Sequence, residues 1–238
     1  AYEFPLRLVG SEMCIRDRDK PINFAEHVQL QELGIAAESI SFANVTLESE
    51  KYVCVRESGE SGNSVAIVDL NNIHNMVRRP MSADSAIMNP EKNILALKLQ
   101  RQLQVFNLET KAKLKSHMSP QDVIYWRWIS ATVLGIVTTS SVYHWSIEDD
   151  AAPQKVFDRH ASLADTQIIN YRASADGKWM VLIGISSNTV DANAFRIKGS
   201  MQLYSKERGV SQPIDGHAAA FAELKTCLLY TSDAADER

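Results

Sequence analysis

The stretch that decides the fold is Gln102–His117, which reads QLQVFNLETKAKLKSH. Its first half alternates as a β-strand does, with Leu103 and Val105 on one side and Gln104 and Phe106 on the other. A polar Glu-Thr pair then breaks the pattern, and a second short alternating run follows. The stretch therefore predicts a β-hairpin.

The same hairpin pattern recurs along the chain. Its first three copies are spaced at roughly 40 residues, which is the repeat length of a propeller blade. An insertion around residues 188–198 delays the fourth copy. The paired runs are 64–70 with 76–80, 102–107 with 111–117, 141–147 with 154–160, and 200–205 with 211–217.

Each repeat adds two strands before its hairpin, so that one unit has four strands. The second strand is almost continuously apolar, as expected of a strand covered on both faces. The fourth strand carries charges or a proline, which keep an exposed edge from pairing with other chains. We expect an all-β fold, an open and incomplete β-propeller of about four blades, with a fifth opening at residues 217–225. A β-sandwich or an α/β sheet fits the fixed period and the lack of helical patterns poorly.

Composition excludes several classes of protein. The chain has 238 residues and a net charge of -4, whereas a general nucleic-acid binder needs a dominant basic face. No apolar run is long enough to span a bilayer. The three cysteines are isolated, which suits a reducing compartment better than a disulfide scaffold.

The two ends of the chain are expected to be foreign to the protein. Met13–Asp17 can be encoded by ATGTGTATAAGAGAC, and the reverse complement of this string with the first two bases of Arg18 encodes Cys227–Thr231. The two ends of the chain would thus be encoded by opposite DNA strands of one short sequence. That sequence resembles a transposase end sequence used in library preparation. We therefore assign residues 1–18 and 227–238 to translated adapter, and 19–226 to a partial propeller.

Chemistry-bearing residues are few, and no catalytic site, metal site or cofactor is expected. The six histidines lack the spacing of metal ligands. Asp158-Arg-His160 brings an acid and a histidine together, but no Gly-x-Ser-x-Gly nucleophile motif accompanies it. Glu148-Asp-Asp150 is interpreted as a solvated turn.

The hairpin itself offers a surface for a ligand. Gln104 and Phe106 face away from the apolar side of their strand, and Lys111 and Lys113 are expected to alternate out of the next one. With Arg79 on the preceding unit, they could form a groove for an extended peptide that has apolar side chains and an acidic end. Alternatively, Phe106 packs between blades and the lysines only protect an edge; the residues alone favour packing.

At these residues the chain resembles the N-terminal β-propeller of clathrin heavy chains. The resemblance implies a seven-bladed, non-enzymatic propeller whose grooves bind short linear motifs of adaptor and accessory proteins. It implies a place on the cytoplasmic face of coated pits and vesicles, with membranes reached only through adaptors and without nucleic acid. The matching segments are Arg78–Pro90, Leu103–Glu109, Lys111–Lys113, Ser141–Ile147, Phe157–His160, Gln167–Tyr171, Met201–Ser205 and Gly216–Ala219.

The resemblance also implies where peptides bind. The groove for clathrin-box peptides would use Arg79, Gln104, Phe106, Lys111 and Lys113, and a pocket for tryptophan-containing motifs at the top of the propeller would use Phe42, Gln167 and Ile169. A third groove, between the fourth and fifth blades, would use Trp179, Leu203, Arg208 and Gln212, although the insertion near it departs from the family pattern.

Light-chain binding and triskelion assembly would belong only to the full-length chain. A WD-type interaction hub or a propeller enzyme of another family is the alternative.

Overall fold

The computed structural model describes residues 25–48, 51–59, 62–191 and 194–222. Sixteen strands lie within these residues, in four antiparallel sheets of four strands each. Neighbouring strands in each sheet are also neighbours in the chain, as in the blades of a propeller. The all-β prediction is confirmed, and the four blades form part of a propeller rather than a closed ring. Both ends assigned to adapter, residues 1–18 and 227–238, lie outside the described residues.

The strands are numbered in chain order. The first blade consists of β1 (Val45–Thr46), β2 (Tyr52–Gly59), β3 (Gly62–Asp69) and β4 (Val77–Pro80). The second consists of β5 (Ser85–Met88), β6 (Ile94–Leu99), β7 (Gln102–Asn107) and β8 (Ala112–Met118). The third consists of β9 (Val123–Trp128), β10 (Val133–Thr138), β11 (Ser141–Ser146) and β12 (Gln154–Asp158). The fourth consists of β13 (Gln167–Ala173), β14 (Trp179–Asp191), β15 (Ala194–Ser205) and β16 (Val210–Asp215). Two short 3₁₀ helices lie at Ala37–Ser39 and Ala161–Leu163.

Burial across each blade follows the sequence pattern. On β6, the neighbours Leu95 and Ala96 point to opposite faces and are both fully buried. On β8, at the outer edge of the same blade, five of the seven residues are exposed. The inner strands are therefore covered on both sides, and the charged outer strand meets solvent.

The core is divided among the boundaries between blades, which we call seams. One apolar cluster fills the first seam, between the first and second blades, and contains Ile67 and Leu95. A second fills the seam between the second and third blades, and a third lies between the third and fourth. A fourth cluster covers the other face of the first blade, where Ile35 packs against β2 and β3. Each blade is thus held by its neighbours, as stacked repeats are.

Three details differ from the expectations. The described part of the expected fifth unit, residues 217–222, forms no strand. The inner strand β1 of the first blade has only two residues and follows a turn over residues 30–34. The insertion lengthens a hairpin: β14 and β15 stay paired out to Asp191 and Ala194, whereas β13 pairs only as far as Ile185. Among the described residues, no helix is long and apolar enough to cross a membrane.

Candidate functional site

Three of the predicted groove residues lie on facing walls of the first seam. Directly opposed residues in an antiparallel pair share a face of the sheet. Arg79 on β4 is opposed to Val65, which belongs to the first-seam core. Gln104 and Phe106 on β7 are opposed to Leu97 and Leu95, which belong to the same core. Arg79 therefore faces the second blade, and Gln104 and Phe106 face the first.

The two predicted lysines occupy different kinds of position. Lys113 on β8 is the partner of Phe106 and so lies on the same face. Lys111 precedes β8 and has a positive φ of 55°, within the hairpin turn, so the expectation that it alternates out of the strand is wrong. The Asn107 side chain accepts hydrogen bonds from the backbone N–H groups of Glu109 and Thr110 and tightens this turn. Lys111 is consequently at the tip of the hairpin rather than along its edge.

The second seam has an aromatic residue at the place of Phe106, and the chain covers it. Trp145 holds this place on β11 and is 1% exposed. The ammonium of Lys115 lies 5.3 Å from the centre of its ring. The same ammonium donates hydrogen bonds to the backbone carbonyls of Ser146, Asp149 and Ala151. A side chain of the second blade therefore covers this ring, and a cavity of about 140 Å³ bordered by His117 and Tyr143 lies in the same seam.

The third seam is also filled by the chain. Tyr204 holds the place of Phe106 on β15, and the ring of Phe157 stacks on it with centroids 4.6 Å apart. Gln202 holds the place of Gln104 and is fully buried. Its amide donates to the Asp158 carbonyl and accepts from the His160 N–H, both at 2.8 Å.

The outer half of the first seam has no such filling. Among the described residues, the side chains of Arg79, Gln104, Phe106, Lys111 and Lys113 make no hydrogen bond, ion pair or ring contact, although Phe106 packs against the core. The buried Nε of Arg79 is without a hydrogen-bond partner in the described part of the chain. The bonds across this seam lie elsewhere, for example from Thr46 to the Ala86 carbonyl. Donors, charges and a half-buried ring are thus left available in the first seam.

A cavity of about 190 Å³ continues the first seam toward the hairpin loops. It is smaller than pockets for drug-sized ligands, which measure about 300–1,000 Å³, and suits a side chain. Of the predicted residues only Arg79 borders it. The hydroxyl of Tyr52 in its wall donates to Asn93 at 2.7 Å, and burial together with Asp69 and Glu109 raises the pKa of this tyrosine. The complete lining is Tyr52, Ile67, Asp69, Asn75, Val77, Arg79, Met88, Asn93, Leu108 and Glu109.

Sequence reasoning missed the apolar lining of this cavity. Ile67, Val77 and Leu108 alternate in the same runs as the predicted residues, so periodicity could have placed them on the seam side of their strands. That they border a cavity depends on how the two blades stack.

The predicted top pocket is distributed over two blades. Gln167 and Ile169 are exposed together on β13, the first strand of the fourth blade. Phe42 is fully exposed in the turn before β1 of the first blade. No hydrogen bond or ring contact joins the three within the described residues.

The predicted third groove has one wall in the described residues. Leu203 is opposed to both Val181 and Gln212, so these side chains share a face with Trp179, and this face points away from the third seam. Arg208 lies in the turn before β16. Trp179 is 38% exposed and borders a cavity of about 330 Å³ together with Phe221.

The Asp158-Arg-His160 segment that resembled a catalytic cluster has backbone partners. Arg159 donates to the Thr139 carbonyl at 2.7 Å, and the His160 ring accepts from the Ser162 N–H at the start of a 3₁₀ helix. In the described part of the chain, no group of three His, Cys, Asp or Glu residues is placed to hold a metal ion.

Comparison with curated proteins gives extended similarity to clathrin heavy chains. The chain is 57% identical over 205 residues to the probable clathrin heavy chain 1 of Caenorhabditis elegans, 53% to the clathrin heavy chain of Drosophila melanogaster and 49% to human clathrin heavy chain 2. In each case the alignment covers 86% of this chain. The chain belongs to the clathrin heavy chain family. It corresponds to the N-terminal region of these proteins and spans about 12% of their length.

The remaining comparisons add less to the assignment to the clathrin heavy chain family. No protein-family model matches the chain. Among solved structures, the N-terminal domain of Nup159 overlaps 72% of this chain and 47% of its own, with 12% identity and a TM-score of 0.43. A Kluyveromyces lactis Hsv2p structure overlaps 68% of this chain and 48% of its own, with 14% identity and a TM-score of 0.46.

Proposed function

We propose that this segment is a docking domain of a clathrin coat, which binds short linear motifs of adaptor and accessory proteins in the outer half of the first seam. One observation carries the proposal. The second and third seams cover their aromatic residue with Lys115 and Phe157, whereas Phe106 in the first seam lacks such a cover among the described residues. A peptide bound in the first seam would cover Phe106, as the chain itself covers the aromatic residues of the other two seams.

The charges indicate which peptides fit. An extended peptide of the pattern leucine-apolar-x-apolar-acidic would place apolar side chains against Phe106 and its acidic end near Lys111, Lys113 and Arg79. Burying a leucine-sized side chain contributes roughly 1.5–3 kcal/mol. Each exposed ion pair adds about 0–1 kcal/mol and is screened by salt. After the cost of ordering the peptide, one motif would bind weakly, so adaptors with several motifs would gain by avidity.

Titration of a labelled peptide of this pattern into the full chain tests the proposal. Phe106→Ala should weaken binding about tenfold or more, because it removes the apolar wall. Lys111→Ala should weaken it about fivefold at most and should flatten its salt dependence. Ile214→Ala and Lys206→Ala are matched controls on the fourth blade and should leave binding unchanged. Unchanged affinity in the double variant Gln104→Ala, Phe106→Ala would restore the interpretation of this seam as packing.

The other predicted sites belong to the same proposal. Phe42, Gln167 and Ile169 would bind a tryptophan-containing motif, and Trp179, Leu203, Arg208 and Gln212 would form one wall of a further groove. Phe42, Ile169 and Trp179 are exposed, so a peptide could reach them. Competition between a tryptophan-motif peptide and a clathrin-box peptide would show whether the sites are independent.

The cellular setting follows from the family. We infer a non-enzymatic scaffold without a cofactor, located in the cytoplasm and at the cytoplasmic face of coated pits and vesicles, where adaptors provide the link to the membrane. Light-chain binding and triskelion assembly would be properties of the full-length heavy chain.

We also propose that residues 1–18 and 227–238 are not part of the natural protein. The relatives align over 205 residues of this chain, a length that agrees with a central segment lacking both ends.

A further inference from the structure

The second seam contains a pocket that the proposed function does not use. This cavity of about 140 Å³ lies between the second and third blades, and we call it the second-seam pocket. Its lining includes the buried core residues Leu103 and Ile136 and the more exposed Pro120 and Pro153. An apolar cavity of about 150 Å³ can hold a benzene molecule. The second-seam pocket therefore has room for the ring of one phenylalanine.

Two side chains on the walls of the pocket have polar groups without a hydrogen-bond partner. His117 on β8 is opposed to Leu103, and Tyr143 on β11 is opposed to Ile136, so both half-buried side chains face this seam. Within the described residues, neither the His117 ring nor the Tyr143 hydroxyl makes a hydrogen bond. Burial and the charge of Lys115 lower the pKa of His117, so its neutral ring can both donate and accept. A bound chain would thus find hydrogen-bonding groups beside an apolar floor.

An acidic turn lies beside the pocket. Glu148 and Asp150 are exposed in the loop between β11 and β12, and they make no ion pair in the described part of the chain. Asp149, between them, lies 3.6 Å from the ammonium of Lys115, which compensates its charge. Two carboxylates of this turn are therefore left for a basic partner.

The basic side chains around the pocket have acidic neighbours. Lys155, which is opposed to Tyr143, forms an ion pair with Asp158 at 2.7 Å. Arg101 forms an ion pair with Asp122 at 2.6 Å. The hydrogen bond from Arg101, with its charge and that of Lys98, lowers the pKa of Asp122. The second seam is thus complementary to a basic segment, whereas the unpaired lysines of the first seam are complementary to an acidic one.

We propose that the second-seam pocket binds an extended segment of a partner protein, with one phenylalanine ring in the pocket and a lysine or arginine next to it facing Glu148 and Asp150. This interaction surface is separate from the groove of the first seam. The second blade forms one wall of each, because Leu103 faces the second seam and Gln104 faces the first. The two faces of one blade would therefore select segments of opposite charge.

A short peptide with one phenylalanine followed by two lysines, labelled with fluorine at its N-terminus, serves as the probe. Fluorine NMR of this peptide during titration with the full chain detects even weak binding. Replacing the phenylalanine with serine should weaken binding about tenfold or more, because no ring is then buried. Replacing both lysines with glutamine should weaken it about two- to tenfold, and the difference should decrease at high salt.

Tyr143→Ala removes one wall of the pocket and should weaken binding of the unmodified peptide about fivefold or more. Tyr125→Ala is the matched control, because Tyr125 is a half-buried tyrosine of the same blade that packs into the third seam instead of the second. It should leave peptide binding unchanged. Urea unfolding of both variants shows that they are folded under the conditions of the titration.

The acidic turn is tested by the double variant Glu148→Gln, Asp150→Asn. It should abolish the preference for the lysine peptide over the glutamine peptide. The double variant Glu207→Gln, Asp165→Asn changes the net charge equally at exposed residues away from this seam and should keep the preference.

Several results would overturn the proposal. These are equal binding of the phenylalanine and serine peptides, equal affinity of Tyr143→Ala and Tyr125→Ala, or no binding at all. Loss of binding in Phe106→Ala would place this peptide in the first seam and would also overturn it. Unchanged binding in Phe106→Ala is the expected result, and it does not depend on whether the first seam binds its own peptide. Self-association of the chain that Tyr143→Ala abolished would assign the pocket to a second copy and contradict the proposal.

Discussion

Lys113 and Lys115 lie two residues apart on the same exposed strand, yet replacing each with methionine should affect different properties of the protein. Lys115 is 9% exposed, and its ammonium is held by three backbone carbonyls and the face of Trp145. Lys113 is exposed and faces the first seam beside Phe106. We therefore predict that Lys115→Met lowers stability, and that Lys113→Met lowers only peptide affinity.

The loss at Lys115 can be estimated from its contacts. A hydrogen bond from a charged donor contributes about 1.5–3 kcal/mol, and a partly exposed cation–π contact about 0.5–1 kcal/mol. Two of the acceptor residues, Asp149 and Ala151, are exposed, so water can replace the lysine at their carbonyls. Only the carbonyl of the half-buried Ser146 and the ring of Trp145 lose a partner that water does not replace well. The expected decrease in the free energy of unfolding is about 2–4 kcal/mol.

Urea unfolding followed by tryptophan fluorescence measures this loss, because Trp145 itself reports the opening of the second seam. Lys113→Met should unfold as the unaltered chain does, while Lys115→Met should unfold at lower urea with a similar slope. Peptide titration of the same two variants should give the reverse order of effects. Equal stability of the two variants would refute the claim that the chain fills its second seam with Lys115.

Three further outcomes are expected. Gln202→Met should lower the free energy of unfolding by about 1–3 kcal/mol, measured in urea, because it leaves the partly buried Asp158 carbonyl and His160 N–H without their partner. An unchanged midpoint would contradict this prediction. Burial and the charge of Lys206 lower the pKa of His144 to about 4, so the folded state binds fewer protons than the unfolded state and stability should fall as pH drops from about 6.5 to 4. His144→Gln should remove this part of the pH dependence of urea unfolding, and an unaltered profile would show that another group is responsible. Independently sequenced cDNA should not encode residues 1–18 or 227–238. Finding both segments encoded in one genomic reading frame with the rest of the chain would disprove their foreign origin.

The blades could be predicted from the sequence because their signal is local and repeated. Alternation of side chains and a fixed spacing locate β7 and β8 within a residue or two, and the same spacing locates their counterparts. The conformation of Lys111 could not be predicted in this way, since a positive φ outside glycine depends on how the hairpin closes around Asn107. The short length of β1 could not be predicted in this way either, because backbone bonds among residues 29–35 hold the segment before it in a turn outside the sheet.

The candidate site was less predictable than the blades, because what distinguishes it is a difference between equivalent places. Phe106, Trp145 and Tyr204 occupy the same position in three repeats, and alternation alone describes them equally well. Lys115 covers the ring in the second seam and Phe157 covers it in the third, and these two residues hold the register positions of Val77 and Arg79 on the first blade. A valine cannot reach over the ring, and Arg79 leaves its Nε unpaired rather than bonding across the seam. The proposed groove thus lies where one ring of the three lacks a cover from the preceding blade, and a variant that covered Phe106 should lose peptide binding while keeping the blade.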